Sequence, residues 1–303
     1  RLRSIPSERP VIIAEASWST AKERKGMMEL MFETFGVPAM YPAKNAMLSA
    51  FSAGRATALV CDCGHGSTSA VPVVDGYVLN KAVQRGIRGG DWLNQQIYSH
   101  LMSKGIRLTP RYAVNARPGA IVTDALTATT TTATAGGGDI VGAAGKSKST
   151  GKGGQRSSAA AVDALFPKTH PSYTHLMRME IVLELKEECM AVTLPDPVSA
   201  SDEDEETPDF YLPDGTRVKV TDELRCIPDM FMEASALTPL QNTRDNLSLD
   251  LPLPALLRRA LEMSDADARK EMAGNLVLTG GGSLFEGMPE RITHELNESL
   301  PSA

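Results

Sequence analysis

The stretch ALVCDCGHGSTSAVPVVDGYVL, residues 58–79, decides the fold of this 303-residue chain. Apolar runs at 57–62 and 69–74 flank a short glycine-rich turn, which predicts a β-hairpin. Asp75-Gly76 predicts a second tight turn, and residues 77–83 are predicted to form a third strand. Strands joined by tight turns in this way do not form the strand–helix–strand crossover of a dinucleotide-binding fold.

A second decisive stretch, NLVLTGGGSLFEG, covers residues 275–287. Its apolar start predicts a buried strand over 275–279. Three consecutive glycines follow, and a helix is predicted over about 287–296. Glycines at this place let a flat ligand lie directly on the backbone. The same pattern is equally typical of a tight strand–helix connection.

The turn inside the predicted hairpin combines a carboxylate with small residues, Asp62-Cys63-Gly64-His65-Gly66-Ser67-Thr68. Small residues let backbone N–H groups approach an anion closely, and a preceding carboxylate can hold a metal ion through water. Many hairpins use glycine, so the motif alone is weak. The two glycine motifs together, in this order, indicate a nucleotide site more strongly.

A cysteine-based metal site is an alternative interpretation of the same turn. Cys61, Cys63 and His65 alternate, so on a strand their side chains would share one face. No fourth ligand is apparent and the adjacent glycines predict a turn, so we favour a hairpin without a metal–thiolate site. The spacing of the four cysteines is not that of a disulfide scaffold and favours a reducing compartment.

The chain before the hairpin is predicted to alternate between strands and helices. Residues 10–16 are predicted to form a buried strand, and Ser19 is the predicted N-cap of the next helix. Apolar spacing in a methionine-rich segment carries this helix to Phe35, with Gly36 as its stop. We expect the methionine-rich stripe to lie in the core. Further predicted elements are a strand over 37–41, helices over 43–53, 89–102, 172–192, 254–264 and 265–273, and a hairpin over 209–220.

Composition narrows the classes of protein. The chain has 42% hydrophobic and 22% charged residues, which is typical of a soluble globular protein. Its net charge of −6 argues against a protein that coats nucleic acid, because phosphate binding needs a basic surface. No run of about 18 apolar residues occurs, so no membrane span is predicted. The start, at Arg1, shows no secretory signal and suggests that the natural N-terminus lies upstream.

Residues 117–161 have a different composition, dominated by Ala, Thr, Gly and Ser. Such a segment buries too little apolar surface to offset its ordering entropy, so we predict a disordered surface insertion. A binding or modification role for it stays open. The acidic run at 202–206 is predicted to be a second solvated loop.

Several segments resemble the actin family, in family order and over most of the chain outside the insertion. They are PVIIAEASWS, MELMFETFGVPAMY, LSAFSAGRATALVCDCG, VPVVDGYVL, YLPDGTRVKV, LRCIPDMF and NLVLTGGGSLFEGMPERITHEL. The chain is therefore identified as a member of that family. The resemblance implies an α/β fold of the actin/Hsp70-like ATPase (ribonuclease-H-like) type, with the large domain and part of the small domain.

The resemblance also implies a division of the chain. Residues 1–45 match part of the small domain, and 46–116 with 162–303 match the large domain, whose outer subdomain covers about 91–238. The insertion at 117–161 interrupts it. Nothing before residue 10 resembles the N-terminal strand pair that wraps the β- and γ-phosphates, and the end of the small domain has no match. We therefore expect these residues alone to bind nucleotide weakly.

By resemblance, the site takes ATP with Mg²⁺ or Ca²⁺. Asp62 matches the carboxylate that orders metal-bound water, and Gly64 and Gly66 match the second phosphate-binding hairpin. The other matched residues are Gly89 near the nucleotide, Lys186 and Glu187 at the purine and ribose, and Gly280, Gly281, Gly282 and Phe285 of the adenosine-binding loop.

Substitutions at the positions that serve hydrolysis in actin set this chain apart. Asn45 stands where actin has the glutamine that positions the attacking water, and Ser69 replaces a histidine that relays its proton. His65 replaces a second aspartate near the metal, and Leu183 replaces an arginine near the adenine. Because phosphoryl transfer needs a positioned nucleophile and a proton acceptor, we expect hydrolysis to be slow or absent.

The sequence of the chain most resembles that of nuclear actin-related proteins of chromatin-remodelling and histone acetyltransferase complexes. This resemblance implies a nuclear scaffold subunit that binds actin, the helicase-SANT-associated helix of a remodelling ATPase and histones, with no sequence-specific DNA binding. One alternative is a cytoplasmic actin-like protein that forms or caps filaments, which filament assembly with ATP turnover would support. Another is a different ATPase of the superfamily. No substrate-binding domain that would mark the last is visible.

Overall fold

The computed structural model of the protein describes residues 5–114, 169–194, 209–233 and 248–299. The predicted insertion at 117–161 and the predicted acidic loop at 202–206 lie outside the described residues. No helix in the described part of the chain combines the length and the apolarity that a bilayer crossing requires.

The chain divides into two compact units. The first contains the described residues within 1–97, 190–205 and 222–303, and the second those within 98–189 and 206–221. The second unit falls within the predicted outer subdomain, about 91–238, whose exact boundaries stay a prediction.

A six-stranded sheet forms the centre of the first unit. Its strands are β3 (Ala58–Cys63), β4 (Thr68–Val74), β5 (Tyr77–Val78), β6 (Gln84–Gly86), β9 (Ser248–Leu249) and β10 (Leu276–Thr279). The order is β10-β3-β4-β6-β9, with β5 paired to β4. Strand β10 runs parallel to β3, whereas β4 runs antiparallel to β3, β5 and β6. The predicted hairpin and the predicted strand at 275–279 are therefore neighbours in one sheet.

The third predicted strand, over 77–83, is wrong in its extent. Strand β5 stops after Val78, a short 3-10 turn covers Asn80–Ala82, and β6 then begins at Gln84. The amide of Leu79 still donates to the carbonyl of Pro72 on β4, at 3.0 Å. Proline has no N–H to donate in return, so the ladder is interrupted there and the chain turns.

Side chains alternate between the two faces of β3 and β4, and one face carries helix α2 (Asn45–Ser52). Ala46 and Ala50 of this helix pack on Ala58, Val60 and strand residues of β4. Small alanines let the helix lie close to the sheet, so the first residue of α2 comes near the end of β3. Gly54, with φ of +69°, follows the helix.

The remaining helices of the first unit come after the meander in the chain. They are α3 (Gly90–Ser103), whose last turns belong to the second unit, α5 (Asp222–Arg225), α6 (Leu253–Glu262), α7 (Ala266–Gly274) and α8 (Met288–Ser299). Helices α6 and α7 pack on strands β3 and β4.

The N-terminal part of the first unit has a parallel pair of strands, β1 (Val11–Glu15) and β2 (Met40–Lys44). Between them lies α1 (Ala21–Glu29). Its N-cap is Thr20, not the predicted Ser19. Thr20 and Glu23 form a capping box, in which each side chain accepts a hydrogen bond from the other residue's backbone N–H.

The expectation that the methionine-rich stripe lies in the core is also wrong. Helix α1 continues as a π-helical turn, Leu30–Thr34, and none of these residues is buried. Leu30 and Phe32 are about half exposed. Within the described residues, the sheet beside this helix has two strands, which offer too narrow a surface to cover the stripe. Gly36 stops the helix as predicted, with φ of +64°.

A buried ion-pair cluster joins these N-terminal elements. The Glu15 side chain is 2% exposed and lies 2.5 Å from Arg24 Nη2 and 2.9 Å from Lys44 Nζ. Burial raises the pKa of the Glu15 carboxyl, but the hydrogen bonds from Arg24 and Lys44 outweigh it, so this pKa lies below its ordinary value. The ionised carboxylate therefore holds β1, α1 and β2 together.

The second unit contains the long helix α4 (Pro171–Cys189) and a hairpin of β7 (Asp209–Tyr211) and β8 (Arg217–Lys219). The hairpin agrees with the prediction for 209–220. Ile181, Leu185 and Cys189, spaced four residues apart on α4, are buried.

Candidate functional site

The candidate site lies where strands β3 and β10 end, side by side. Asp62 on β3 is in register with Thr279 on β10 and with Ser69 on β4. Ligands of open α/β sheets bind at the carboxyl ends of parallel strands. The two glycine motifs follow these strand ends directly, so the sheet brings together residues that are more than 200 positions apart in the chain.

The hairpin turn after β3 is held by the start of α3. Gly64 N–H donates to the Ser67 carbonyl at 3.1 Å, which closes the turn. The N–H groups of Gly90 and Asp91 donate to the carbonyls of Gly64 and His65, at 2.9 and 2.8 Å. Backbone hydrogen bonds from the start of α3 therefore hold the turn in place.

Gly89 sits against this turn so closely that a side chain has no room. A Cβ added at Gly89 would lie 2.5 Å from the His65 carbonyl oxygen and 2.6 Å from the Ser67 nitrogen. A Cβ at Gly66, in contrast, would meet nothing within 4 Å. Gly89 is thus required by the protein itself, whereas Gly66 leaves open space above the turn.

The glycine loop after β10 crosses the end of β3. Gly280 has φ of +87°, and an added Cβ would lie 2.5 Å from the Cys63 carbonyl oxygen and 2.7 Å from Asp62 Oδ1. A Cβ added at Gly282 would lie 3.0 Å from the Cβ of Cys63, whereas a Cβ at Gly281 would have no neighbour within 4 Å. The loop therefore packs on β3 through its outer glycines and leaves open space at the middle one.

The residues after these glycines do not all face outward. Phe285, which the resemblance assigns to the adenosine-binding loop, is buried, whereas its neighbour Leu284 is 84% exposed. The short 3-10 turn over Gly281–Leu284 produces this arrangement.

Asp62 is the acidic side chain at the centre of the site, and it is half-buried. Burial raises the pKa of its carboxyl. Its Oδ2 accepts a hydrogen bond from Asn45 Nδ2 at 3.3 Å. A nearby cation stabilises the ionised form of a partly desolvated carboxylate. One carboxylate suits Mg²⁺ or Ca²⁺ that keeps most of its water ligands. Asp62 therefore fits the role of holding such an ion through water.

The structure does not bring His65 together with Cys61 and Cys63, as the alternative metal–thiolate site would need. The two cysteines are buried with their sulfurs 3.8 Å apart, while the His65 side chain is 71% exposed in the turn beyond them. Among the described residues, no cluster of three or more His, Cys, Asp and Glu side chains is placed to hold a metal ion. Hydrogen bonding to Cys63 and burial raise the pKa of the Cys61 thiol, so it stays protonated.

The side-chain amide of Asn45 is bonded to the protein through both its nitrogen and its oxygen. In addition to the bond from its Nδ2 to Asp62, its Oδ1 accepts hydrogen bonds from Ser17 Oγ at 3.1 Å and from Ala46 N–H at 2.9 Å. Asn45 is the first residue of α2, and the close packing of that helix places it beside Asp62. Both acceptor positions of Oδ1 are occupied, so the Asn45 carbonyl is not free to accept a hydrogen bond from a water molecule over the site.

The two other substituted positions also lie at the site. Ser69, which by resemblance stands at a histidine position of actin, is buried directly opposite Asp62 on β4. His65 lies in the turn, with its Nε2 3.9 Å from an oxygen of Asp91 in the first turn of α3. The structure therefore brings Asn45, Asp62 and Ser69 together and places His65 at the rim.

Lys186 and Glu187 lie on α4 in the second unit, where Lys186 is buried and Glu187 is exposed. Their assignment to purine and ribose stays a prediction from the resemblance, and so does the consequence of Leu183.

Sequence reasoning missed two residues that shape the site, Ser17 and Arg88. Ser17 is buried and fixes the Asn45 amide. Arg88 is buried immediately before Gly89, with its guanidinium bonded to distant parts of the chain. The available signal was the charge itself, since Arg88 interrupts the otherwise small and apolar run Gly86-Ile87-Arg88-Gly89-Gly90.

Comparison with known proteins agrees with this architecture. The family model described as Actin matches residues 1–136 and 143–303. Proteins called "Actin-related protein 4" are similar over nearly the whole chain. The protein from Oryza sativa subsp. indica is 32% identical over 305 residues, which cover 98% of this chain and 60% of the relative. The Arabidopsis thaliana protein is 30% identical over 303 residues, with 98% and 60% covered. The Neurospora crassa protein is 28% identical over 308 residues, with 97% and 58% covered.

The chain thus spans about 60% of the length of the curated relatives it matches. The family match extends over both glycine motifs and over every described element, which confirms the predicted α/β fold of the actin/Hsp70-like ATPase type. With the strand–glycine geometry at the ends of β3 and β10, these similarities lead to one conclusion: the chain belongs to the actin family.

Proposed function

We propose that the protein binds ATP with Mg²⁺ or Ca²⁺ at the ends of β3 and β10. The support is the pair of glycine turns beside a half-buried carboxylate, with open space above Gly66 and Gly281. Asp62 would hold the cation through water, and the cation would neutralise phosphate charge. The hairpin turn would receive the phosphates, and the glycine loop would lie against the nucleoside.

We further propose that hydrolysis is slow or absent. The observation that carries this proposal is the Asn45 amide, whose nitrogen and oxygen are both bonded within the protein. A nucleophilic water needs an acceptor at a fixed place, and its proton needs somewhere to go. Ser69 supplies no imidazole for that proton. ATP would then act as a bound structural ligand.

A binding measurement tests the nucleotide site. We expect Asp62→Asn to weaken ATP binding about tenfold or more at fixed Mg²⁺ and salt, because the carboxylate that attracts the cation is lost. Asp75→Asn is the matched control, since Asp75 lies in the turn between β4 and β5 and its φ of 50° suits asparagine. Absence of ATP binding in the parent protein, or equal affinities for the parent and Asp62→Asn, would refute the site.

For the whole protein, we propose a nuclear scaffold subunit of chromatin-remodelling or histone-modifying complexes. Similarity to proteins called "Actin-related protein 4" supports an actin-related role. The sequence resemblance is the basis for the nuclear location and for three partners: actin, the helicase-SANT-associated helix of a remodelling ATPase, and histones. A site that retains nucleotide without turning it over suits a scaffold better than a motor or a treadmilling filament.

Purification from the native locus tests the scaffold proposal. The full-length protein is tagged there, isolated gently and analysed by mass spectrometry for bound proteins. Recovery of a remodelling ATPase, actin and acetyltransferase subunits would support the nuclear role. Recovery of filament proteins alone, together with ATP-dependent assembly of the purified protein, would reject it in favour of a cytoskeletal actin-like protein.

A further inference from the structure

Arg88 is a buried cation that the proposed nucleotide contacts do not use. Its side chain is 2% exposed, and its Nε lies 2.7 Å from Asp250 Oδ1. Its Nη1 donates to the carbonyls of Met230 and Glu233, at 2.6 and 2.7 Å. The guanidinium also lies 5.5 Å from the ring centroid of Trp92. One side chain therefore joins the start of α3 to two segments that are more than 140 residues away in the chain.

The arrangement is not what stability alone would select. The remaining nitrogen, Nη2, is buried and has no hydrogen-bond partner within the described residues. A buried donor without a partner is unfavourable, and an apolar side chain often fills such a space with equal or greater stability. A buried arginine here therefore calls for a role besides filling space.

The backbone on either side of this side chain supports the hairpin turn. The Arg88 carbonyl accepts a hydrogen bond from Thr68 Oγ1 at 2.6 Å. Gly89 packs against the turn, and the N–H groups of Gly90 and Asp91 donate to the turn's carbonyls. Residues 88–91 therefore support the turn through their backbone, and the hydrogen bonds of the Arg88 side chain fix this segment to the rest of the unit.

We propose that Arg88 is a positioning residue that fixes the phosphate-binding turn by clamping residues 88–91 to Asp250 and to the carbonyls of Met230 and Glu233. The inference rests on the proposed ATP site for its functional consequence, but the clamp acts on the turn whether or not ATP is bound. Because the same guanidinium holds all three partners, displacement near Met230 or Asp250 would be transmitted to the turn.

Hydrogen exchange of the full chain without nucleotide tests the clamp. We expect Arg88→Met to speed exchange of the Gly90 and Asp91 amides about tenfold or more, while the central residues of β3 and β4 change little. Met272→Ala is the control for general destabilisation. Met272 is fully buried in α7, whose end leads to Asn275, the acceptor of Leu59 N–H at the far end of β3. We expect Met272→Ala not to speed exchange of the Gly90 and Asp91 amides more than exchange of the amides in β3 and β4.

A charge-balanced variant separates positioning from simple stability. Arg88→Met combined with Asp250→Leu removes the buried cation together with its partly buried counter-ion, so its urea midpoint should return toward that of the parent. We expect exchange at Gly90 and Asp91 to stay fast, because the bonds to the two carbonyls are still missing. Exchange that returns to the parental rate along with the midpoint would overturn the proposal, and so would unchanged exchange in Arg88→Met.

ATP affinity then connects the clamp to function. In a parent protein that binds ATP, we expect the charge-balanced variant to bind about tenfold more weakly. A parent that fails to bind ATP would refute the nucleotide site and leave the exchange result to judge the clamp. A parent and a charge-balanced variant with equal ATP affinities would overturn the positioning role alone.

Discussion

Replacement of Gly89 by alanine tests how the hairpin turn is supported. An alanine Cβ at this position would lie 2.5 Å from the His65 carbonyl oxygen, 2.6 Å from the Ser67 nitrogen and 2.8 Å from the Gly66 carbonyl carbon. All three are backbone atoms, so no side-chain rotation relieves the contact. The turn and the start of α3 must move apart by up to about 0.9 Å to reach an ordinary contact of 3.4 Å.

The cost of this movement follows from the contacts it disturbs. Overpacking of a closely packed region costs about 1–3 kcal/mol, and the absence of a rotatable neighbour places this case at the upper end. The same movement stretches the hydrogen bonds from the Gly90 and Asp91 N–H groups without breaking them, which loses about half of the roughly 1 kcal/mol that each contributes. Alanine lowers the entropy of the unfolded chain and returns about 0.4–1 kcal/mol. We therefore expect Gly89→Ala to lower the free energy of unfolding by about 3 kcal/mol.

Urea and thermal unfolding measure this change, with Gly66→Ala as the matched control. A Cβ at Gly66 meets nothing within 4 Å, so we expect its midpoint to stay within about 0.5 kcal/mol of the parent. For a unit of this size, about 3 kcal/mol corresponds to a loss of roughly 6–12 °C in Tm. Equal unfolding free energies for the two variants would refute the conclusion that the α3 start supports the turn by close backbone packing.

Further outcomes follow from the other contacts. Glu15→Gln should cost about 2–4 kcal/mol in urea unfolding, since its two cationic partners lose a buried counter-charge. Because the pKa of Glu15 is lowered on folding, its stabilisation is complete above the ordinary value of 4.5 and is lost as the pH falls through the folded value, which unfolding at stepped acidic pH would show. Gly280→Ala should cost about 3 kcal/mol, because φ of +87° and a 2.5 Å backbone contact both oppose a side chain. Gly281→Val should leave the urea midpoint within about 0.5 kcal/mol of the parent but weaken ATP binding in the proposed site. Asn45→Gln with Ser69→His should raise ATP turnover about tenfold or more in a phosphate-release assay.

Controls and contrary results are available for these variants. Lys25→Ala removes an exposed ion pair with Glu29 and should change stability by less than about 0.5 kcal/mol. An equal loss for Lys25→Ala and Glu15→Gln would contradict the buried cluster. Turnover that stays at the blank level in Asn45→Gln with Ser69→His, despite parental ATP affinity, would show that these positions do not limit hydrolysis.

Local signals in the sequence were sufficient to predict most of the elements. The alternation in β3 and β4, the glycine turn between them and the strand before Gly280 are patterns within about ten residues of one another. The errors arose where a second local rule competed. Pro72 interrupted the third strand, and a capping box at Thr20 prevailed over the serine beside it.

The site was less predictable, because its contacts are distant in sequence. Residue types at Asn45, Asp62 and Ser69 marked the site, but the bond from Ser17 to Asn45 depends on the packing of α2 against the sheet. The partners of Arg88 are 142 and 162 residues away for Met230 and Asp250. Neither composition nor periodicity carries information on such pairs, and only the folded chain reveals them.

The glycines of the site do not contribute equally to the argument for a nucleotide. Gly89 and Gly280 are required by close approaches of the protein to itself, so they would be needed even if no ligand were bound. Gly281 differs, because an added Cβ there meets open space and its φ is not in the left-handed region. Nothing within the described residues explains a glycine at this place, whereas a ligand lying on the loop does. Gly281→Val is therefore a sharper test of the nucleotide site than a substitution at Gly89 or Gly280. If ATP affinity falls while stability is unchanged, the loss comes from the contact with the ligand and not from damage to the fold. Unchanged affinity would mean that the loop is a tight strand–helix connection and that the nucleotide, if bound, lies elsewhere.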